Sequence, residues 1–346
     1  MSGETRRWNT GASRLRIIGS LAIVVLHTMN AAEILFRGEI SERAERLSMM
    51  PVYGLMWAVP VFVMVSGALL LDPSRQITTG KIFKQYILRV FAALVFCVLL
   101  FTCFDTLMSG EAFGPAVLLT ALKQLCTGGS WSHLWYLYML LGIYLLLPAY
   151  RPVAQCDEKT FRYLCVIGFV FLSLLPMLEF AGIHVEFHIQ LSVIYTLYLF
   201  LGYGISSGKL KVTREAGCLL LAAGSVMVFL MLLFYWRSGS ASVKAMLSSY
   251  ASPAVVLQSA GIFAWQWGSA EEDDGRDHGL LRKADALTFG IYLFHMIPLR
   301  YIMRYHGWDP FSWGWKGFVV LIAAALFFSA VLTALLRLIP GVKKML

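Results

Sequence analysis

Long apolar runs separated by short polar loops make up almost the whole chain. Ten of these runs come close to the ~20 residues that a helix needs to cross the ~30 Å hydrocarbon core of a bilayer. They cover residues 14–35, 51–71, 86–108, 133–150, 162–182, 189–206, 215–236, 250–269, 286–304 and 315–339. The pattern predicts an all-α polytopic membrane protein with about ten transmembrane helices. A shorter segment, 112–126, ends in Thr127-Gly128-Gly129-Ser130 and suits an interfacial or re-entrant helix.

The cationic residues orient these helices. Positive charge collects in the cytoplasmic loops of membrane proteins. Of the 29 Lys and Arg residues, 20 fall on one side of the predicted membrane and 9 on the other. The richer side includes both ends of the chain, so both termini are expected in the cytoplasm, in agreement with an even number of helices. The polar segment 270–285 is expected to be a cytoplasmic loop, and residues 1–346 to form a single membrane-embedded domain.

Composition supports the bilayer as the solvent. Hydrophobic residues make up 58% of the chain and charged residues 14%, with a mean hydropathy of +0.69. A soluble domain is about half apolar and a quarter charged. The net charge of +9 follows from the basic loops, and no nucleic-acid partner is expected. The six cysteines form no C-x-x-C pair, so neither a disulfide framework nor a zinc site is predicted. No cleavable signal peptide is expected.

Two ionisable residues of the first predicted helix, Arg16 and His27, lie eleven positions apart. Eleven steps of ~100° make about three full turns, so both side chains share one face. The rise between them is ~16 Å, about half of the hydrocarbon thickness. Arg16 is therefore expected at the cytoplasmic rim and His27 near the middle of the bilayer. Because intramembrane ionisable residues are costly, each is a functional candidate. Each also has a structural alternative, as a snorkelling anchor or as a hydrogen-bonded histidine.

The second predicted helix contains Pro60, which is expected to kink it, and then Ser66 and Gly67. Residues this small permit close approach by a neighbouring helix, the favoured interpretation, or by a ligand. Ser66 is expected at the depth of Arg16 and Arg89, and the three could surround an anion arriving from the cytoplasm. Lys81 and Lys84 could extend this basic mouth, although the positive-inside rule explains both lysines fully.

Two further segments bring histidine and aromatic residues together. The fourth helix opens with His133-Leu134-Trp135-Tyr136, and the ninth contains Tyr292 and His295. An interfacial aromatic belt explains the tryptophans but not the histidines. The remaining ionisable residues lie toward outer helix ends, where solvation is expected: Glu33, Asp105, Glu179, His184, Glu186 and His188. His184 and His188 have the spacing of metal ligands, but simple solvation is favoured, so no metal site is predicted.

The ordered set of motifs over residues 13–300 resembles acyltransferase family 3, the bacterial membrane O-acyltransferases. The R-x10-H signature is matched by Arg16 and His27, and P-x-F-x-x-x-S-G by residues 60–67. The family motif H-L-W-[YF] is matched by residues 133–136, and Tyr144 and Pro148 follow it. The motif G-I-Y-L-x-H is matched by residues 290–295. A weaker L-G-Y match falls at residues 201–203.

The chain departs from the family pattern at two positions. Ser13 stands where the family often has Asp, three residues before the signature arginine. Tyr86 stands in the first position of the usual R-x-x-R pair, so that only Arg89 carries over, with Lys84 as a possible substitute. The chain resembles the stand-alone form of the family, without a fused SGNH domain.

The resemblance implies transfer of an acyl group, usually acetyl from acetyl-CoA, to a sugar hydroxyl at the outer face or on a lipid carrier. His27 is then the expected general base, because its unperturbed pKa near 6.5 suits that task. Acetyl-CoA acts as a donor substrate, no bound cofactor is expected, and the bacterial inner membrane is the expected location. Donor binding is expected from Arg16, Arg89, Lys84, Ser66 and Arg14, and lining of the active site from His133, Trp135, Tyr136, Tyr292 and His295.

Two other classes of function are compatible with the same residues. Intramembrane arginine and histidine also mark transport pathways, so a transporter or flippase for an anionic or glycan substrate is the alternative. The absence of an internal repeat weighs against it. A sensor or assembly scaffold is the third possibility, and it would tolerate loss of both Arg16 and His27.

Overall fold

The computed structural model describes residues 9–174, 176–177, 194–268 and 279–346, and these residues form helices without strands. The helices are α1 (Thr10–Leu35), α2 (Glu42–Gly54), α3 (Ala58–Leu70), α4 (Thr79–Met108), α5 (Pro115–Thr127), α6 (Trp135–Ala154), α7 (Glu158–Phe169), α8 (Ile194–Ser206), α9 (Arg214–Ser238), α10 (Ala241–Leu247), α11 (Pro253–Trp267), α12 (Gly279–Phe294), α13 (Trp315–Leu336) and α14 (Pro340–Lys343). Helix α7 continues as Val170–Leu174, and α12 continues beyond His295 to Tyr305.

Seven helical segments of the described chain are long and apolar enough to cross a membrane. They are Thr10–Leu35, Glu42–Leu70, Thr79–Met108, Ser132–Ala154, Arg214–Ser238, Gly279–Tyr305 and Trp315–Leu336. Each overlaps one of the ten predicted spans, although Glu42–Leu70, Thr79–Met108 and Gly279–Tyr305 begin well before the residues predicted. Helix α11 falls within the predicted span 250–269 but has only 15 residues, most of them buried against other helices. The predicted spans 162–182 and 189–206 extend into residues outside the described part of the chain, as does the loop 270–285. Glu179, His184, Glu186 and His188 lie outside it altogether.

Proline positions explain where the helical hydrogen bonding of two long segments is interrupted. The turn at residues 55–57, between α2 and α3, lies one turn before Pro60, which has no amide hydrogen for the carbonyl oxygen of Met56. The irregularity predicted for Pro60 is therefore found as this short turn inside the segment Glu42–Leu70. Helix α12 is interrupted at His295, three residues before Pro298, which likewise leaves the carbonyl of Phe294 without its helical partner.

Helices α1 and α12 run parallel and form the frame of the site. Three residues of α1 contact the segment Gly279–Tyr305 in the same order along both helices. Arg16 contacts Asp285, Ser20 contacts Thr288, and His27 contacts His295. Eleven residues separate the outer contacts on α1 and ten separate them on α12, so two straight helices keep this register over about three turns. The shared face predicted for Arg16 and His27 is thus the face that packs on α12.

Glycines allow α3 and α8 to cross at close range. A Cβ atom added to Gly67 would overlap the carbonyl oxygen of Leu199, and one added to Gly202 would overlap that of Met64. The two predicted motifs that contain these glycines therefore meet as a helix-helix contact. The neighbouring Ser66 instead faces a cavity, so the two small residues serve different purposes.

We expect Gly67→Ala to destabilise the protein, because backbone carbonyls cannot move aside as side chains do. Overpacking of a close contact costs about 1–3 kcal/mol, and this contact belongs at the upper end of that range. The midpoint of thermal unfolding in detergent should fall by several degrees. Gly142→Ala in the interior of α6 is the matched control, since an added methyl group there meets nothing within 4 Å. Equal stability of the two variants would contradict the close crossing.

Candidate active site

A cavity of about 490 Å³ opens between α1, α3, α4, α6 and α12, near the N-terminal end of α1. This volume lies within the range of cavities that hold cofactor-sized ligands. The side chains around it divide into a cationic end and an aromatic end. Its lining residues are Arg16, Phe62, Val65, Ser66, Leu69, Leu70, Arg75, Tyr86, Arg89, Val90, Tyr136, Leu140, Tyr144, Asp285, Ala286, Thr288, Phe289, Tyr292, Arg337 and Leu346.

Four arginines line the cationic end: Arg16, Arg75, Arg89 and Arg337. Arg89 donates to the carbonyl oxygens of Met345 and Leu346, at 3.0 and 2.9 Å, so the chain folds back to this wall after α14. The structure thus brings Arg16, Ser66 and Arg89 together on one cavity, as the sequence predicts. Lys84 is exposed, and neither it nor Arg14 is among the described residues that line the cavity.

Arg16 is held by a carboxylate of α12. Its Nε and Nη2 atoms donate to Oδ1 and Oδ2 of Asp285, both at 2.6 Å. Ser13 also donates to Asp285, at 2.7 Å. Such a two-point contact fixes the plane of the guanidinium group as well as its position. The carboxylate beside Arg16 therefore comes from α12, and Ser13, which replaces the family's aspartate, binds that same carboxylate.

Three residues of this end of the cavity are not predicted as site residues from the sequence. Asp285 falls in the predicted polar loop, because the ninth predicted span begins at residue 286. Arg75 and Arg337 belong to the 20 cationic residues on the richer side, which the positive-inside rule alone explains, yet both line the cavity. The signal for Asp285 was its position ten residues before His295, close to the eleven-residue spacing of Arg16 and His27.

The aromatic end of the cavity leads to a group of three histidines. Tyr136 and Tyr292 line this end, with their ring centroids 5.3 Å apart. Tyr292 donates a hydrogen bond to the backbone carbonyl of His133, and its ring lies 5.9 Å from the His133 ring. Tyr292 therefore separates the cavity from the histidines and contacts both.

His27, His133 and His295 form this histidine cluster. The ring centroids of His27 and His295 are 5.0 Å apart, those of His133 and His295 are 5.4 Å apart, and those of His27 and His133 are 6.3 Å apart. His133 and His295 are fully buried, whereas His27 is half-buried. The R-x10-H, H-L-W-[YF] and G-I-Y-L-x-H motifs thus each contribute one histidine to a single point of the fold.

The hydrogen-bond network assigns the hydrogen atoms of the pair formed by His27 and His295. Backbone carbonyls can only accept, so His295 Nδ1, at 2.8 Å from the carbonyl oxygen of Tyr292, carries a hydrogen. In a neutral ring Nε2 then has a lone pair, and at 2.8 Å it accepts from Nδ1 of His27. The lone pair of neutral His27 is therefore on Nε2, which is the atom that can take a proton from a substrate.

His133 has one satisfied and one unsatisfied nitrogen. Its Nε2 contacts the carbonyl oxygen of Leu293 at 3.1 Å and therefore donates. Its Nδ1 is buried and has no hydrogen-bond partner in the described part of the chain. An unpaired buried acceptor is costly. A hydroxyl or amide hydrogen of a substrate in the cluster would satisfy it.

Two amide substitutions separate these roles of His133. Asn places its amide near the Nδ1 position, whereas Gln reaches the Nε2 position and preserves the bond to Leu293. We expect His133→Asn to retain at least tenfold more transfer activity than His133→Gln, with turnover of the purified variants as the measurement. If the bond to Leu293 were the whole role of His133, the order of the two variants would be reversed.

The tryptophans on either side of His133 lie outside the cavity. Trp135 packs against Tyr195 and Tyr250, with centroid distances of 5.8 and 5.6 Å. Trp131 is covered on its two faces, by Phe101 with centroids 4.1 Å apart and by the guanidinium group of Arg300 at 4.1 Å. It has no open face for a sugar ring. Of the predicted aromatic lining, Tyr136 and Tyr292 reach the cavity and Trp135 does not.

Comparison with known proteins identifies the family of this chain. A family model described as an acyltransferase domain matches residues 11–335 and so includes every residue of the histidine cluster. Neither the curated proteins nor the solved structures contain a significant match. The chain, a multi-pass membrane protein by its helices, therefore belongs to acyltransferase family 3, whose members transfer an acyl group to a substrate.

Proposed function

We propose that this protein transfers an acetyl group from acetyl-CoA to a hydroxyl of a surface or lipid-linked glycan at the bacterial inner membrane. The observation that carries the proposal is the path from four arginines, through a cavity of about 490 Å³, to Tyr136 and Tyr292, with the histidine cluster on the far side of Tyr292. A long donor with an anionic head and a reactive end fits such a path. Acetyl-CoA is consumed as a substrate, and the mechanism needs no bound cofactor.

The orientation of the path follows from the charge distribution. The arginine end lies at the N-terminal end of α1, on the side to which the sequence pattern assigns 20 of the 29 cationic residues. By the positive-inside rule this side faces the cytoplasm, where acetyl-CoA is made available. The phosphates would remain near Arg16, Arg75 and Arg89. The pantetheine arm would extend past Ser66 and Tyr144 toward Tyr136, along the ~16 Å that separates Arg16 from His27 on α1.

The proposed transfer is a direct displacement at the thioester. His27 Nε2 removes the proton of the acceptor hydroxyl while the hydroxyl oxygen attacks the thioester carbon. The carbon-sulfur bond breaks, and the proton on His27 passes to the departing thiolate of CoA. An ester and free CoA result, and His27 returns to its neutral form. His295 keeps the His27 ring in the tautomer that this step needs.

The proposal is tested with purified protein in nanodiscs, acetyl-CoA labelled in its acetyl group and a crude extract of bacterial envelope glycolipids. We expect free CoA to form together with an equal amount of label in the glycolipid fraction. A transporter would leave the thioester intact, which would contradict the proposal. If CoA were released only from longer acyl-CoA substrates, the protein would still be an acyltransferase, but acetyl-CoA would not be its donor.

A further inference from the structure

A second cavity, of about 200 Å³, lies at the other end of α1. It is formed by the last turns of α1 together with α2 and α10. Polar side chains from all three helices face it: Asn30, Glu33, Arg37, Ser48, Lys244 and Ser248. Tyr53 and Ile34 add apolar surface. The volume is smaller than that of the cavity of about 490 Å³, in which we place acetyl-CoA and which we call the donor cavity. It suits one small ring.

Glu33 places a carboxylate inside this second cavity. The side chain retains 9% of its exposure, whereas Arg37, just beyond the end of α1, retains 57%. The Nε and Nη2 atoms of Arg37 both donate to Oε1 of Glu33, at 3.1 and 2.7 Å. Within the described residues Arg37 binds only Oε1, which leaves the lone pairs of Oε2 for the hydroxyl groups of a ligand.

The position of the second cavity relates it to His27. Asn30 is three residues beyond His27 on α1 and Glu33 is six residues beyond it, which corresponds to rises of about 4.5 and 9 Å. The donor cavity lies in the opposite direction along the same helix. Along α1, His27 therefore lies between Arg16, which lines the first cavity, and Asn30, which lines the second. Arginines line the first cavity, and groups that both donate and accept hydrogen bonds line the second.

We propose that the second cavity binds the acceptor, and that its ligand is a single polyhydroxylated ring, as in a sugar. Glu33 accepts from ring hydroxyls, while Arg37 and Lys244 donate to ring oxygens or to an acidic substituent. The apolar wall at Ile34 and Tyr53 contacts the carbon face of the ring. Bound in this way, a ring presents a hydroxyl toward His27. The inference rests on the proposed function and adds the residues that select the acceptor.

Glu33→Gln tests the proposal against a closely matched control. The control is Glu42→Gln on α2, because Glu42 also pairs with an arginine four residues later, Arg46, but is 75% exposed. Transfer to the envelope glycolipid extract is measured at increasing extract concentration, and hydrolysis of acetyl-CoA is measured without extract. We expect Glu33→Gln to raise the half-saturating extract concentration at least tenfold and to leave hydrolysis within twofold of wild type. Glu42→Gln should change neither value.

A second variant guards against a purely structural effect of Glu33. Ser248→Phe adds a bulky ring to the lining of the second cavity and keeps both Glu33 and Arg37, so it should also raise the half-saturating concentration. Unchanged values in both variants would overturn the proposal, and so would an equal fall of hydrolysis and transfer. If wild-type protein released no CoA at all, the proposed function itself would fail, which is a different result.

Discussion

Replacement of His27 should abolish acetyl transfer while donor binding survives. General-base catalysis contributes about 10²–10⁴-fold to the rate, so His27→Ala should lower turnover by at least ~100-fold. The side chain lies beyond the aromatic end of the donor cavity and is not among the described residues that line it. Affinity for acetyl-CoA, measured by titration in nanodiscs, should therefore stay close to that of wild type.

His27→Asn is the sharper form of this experiment. Its amide hydrogen can still reach Nε2 of His295, so the contact between α1 and α12 is preserved while the basic nitrogen is lost. We expect this variant to fold like wild type and to be as inactive as His27→Ala. Substantial transfer by either variant would remove His27 from the role of base.

The tautomer assignment gives His295 a measurable positioning role. His295→Gln keeps an acceptor near the Nε2 position, whereas His295→Ala leaves Nδ1 of His27 without a partner. The alanine variant should lose more turnover than the glutamine variant, and donor affinity should be equal in the two. A purely structural role would lower the unfolding midpoint of both variants and leave the turnover of the correctly folded fraction unchanged.

The second large effect is expected from the pair formed by Arg16 and Asp285. A hydrogen bond to a charged group is worth about 1.5–3 kcal/mol, and each ~1.4 kcal/mol is tenfold in affinity. If Arg16 contacts the donor phosphates, Arg16→Gln should weaken acetyl-CoA binding by about tenfold or more. The remaining affinity should depend less on salt, because one cationic contact has been lost.

Asp285→Asn is the matched control for Arg16→Gln. It removes the anion beside the proposed phosphate site and leaves Arg16 in place, so acetyl-CoA should bind at least as tightly as it does to wild type. Both side chains are partly exposed, at 27% and 12%, which limits the structural cost of separating them. An equal loss of affinity and of thermal stability in the two variants would show that the pair serves only to hold α1 against α12.

Much of the frame of the site could be predicted from the helical repeat. The eleven-residue spacing of Arg16 and His27 predicts one shared face, and that face packs on α12. Each of the seven long helical segments contains most of one predicted span, because an uninterrupted apolar run has few other stable conformations in a bilayer. The small residues of the second span were also informative, since Gly67 meets a helix and Ser66 faces the cavity.

The parts that could not be predicted depend on contacts between distant segments. Nothing local in the sequence pairs Arg16 with Asp285, which is 269 residues away. Arg75 and Arg337 resemble ordinary loop charges, and Glu33 resembles an ordinary residue at an outer helix end. Each gains its significance from the cavity that surrounds it. Trp131 shows the converse case, because its place in a run of aromatic residues does not reveal that Phe101 and Arg300 cover its faces.

In the proposed reaction the acetyl group moves, at His27, from a donor on the Arg16 side of the membrane to an acceptor on the Glu33 side. The most direct measurement uses sealed vesicles with the protein in one orientation, labelled acetyl-CoA added only to the side of Arg16, and the glycolipid extract only to the side of Glu33. We predict labelled glycolipid on the Glu33 side and free CoA on the Arg16 side, both lost in His27→Asn. Labelling only when donor and acceptor share one side, or intact acetyl-CoA appearing across the membrane, would contradict the account.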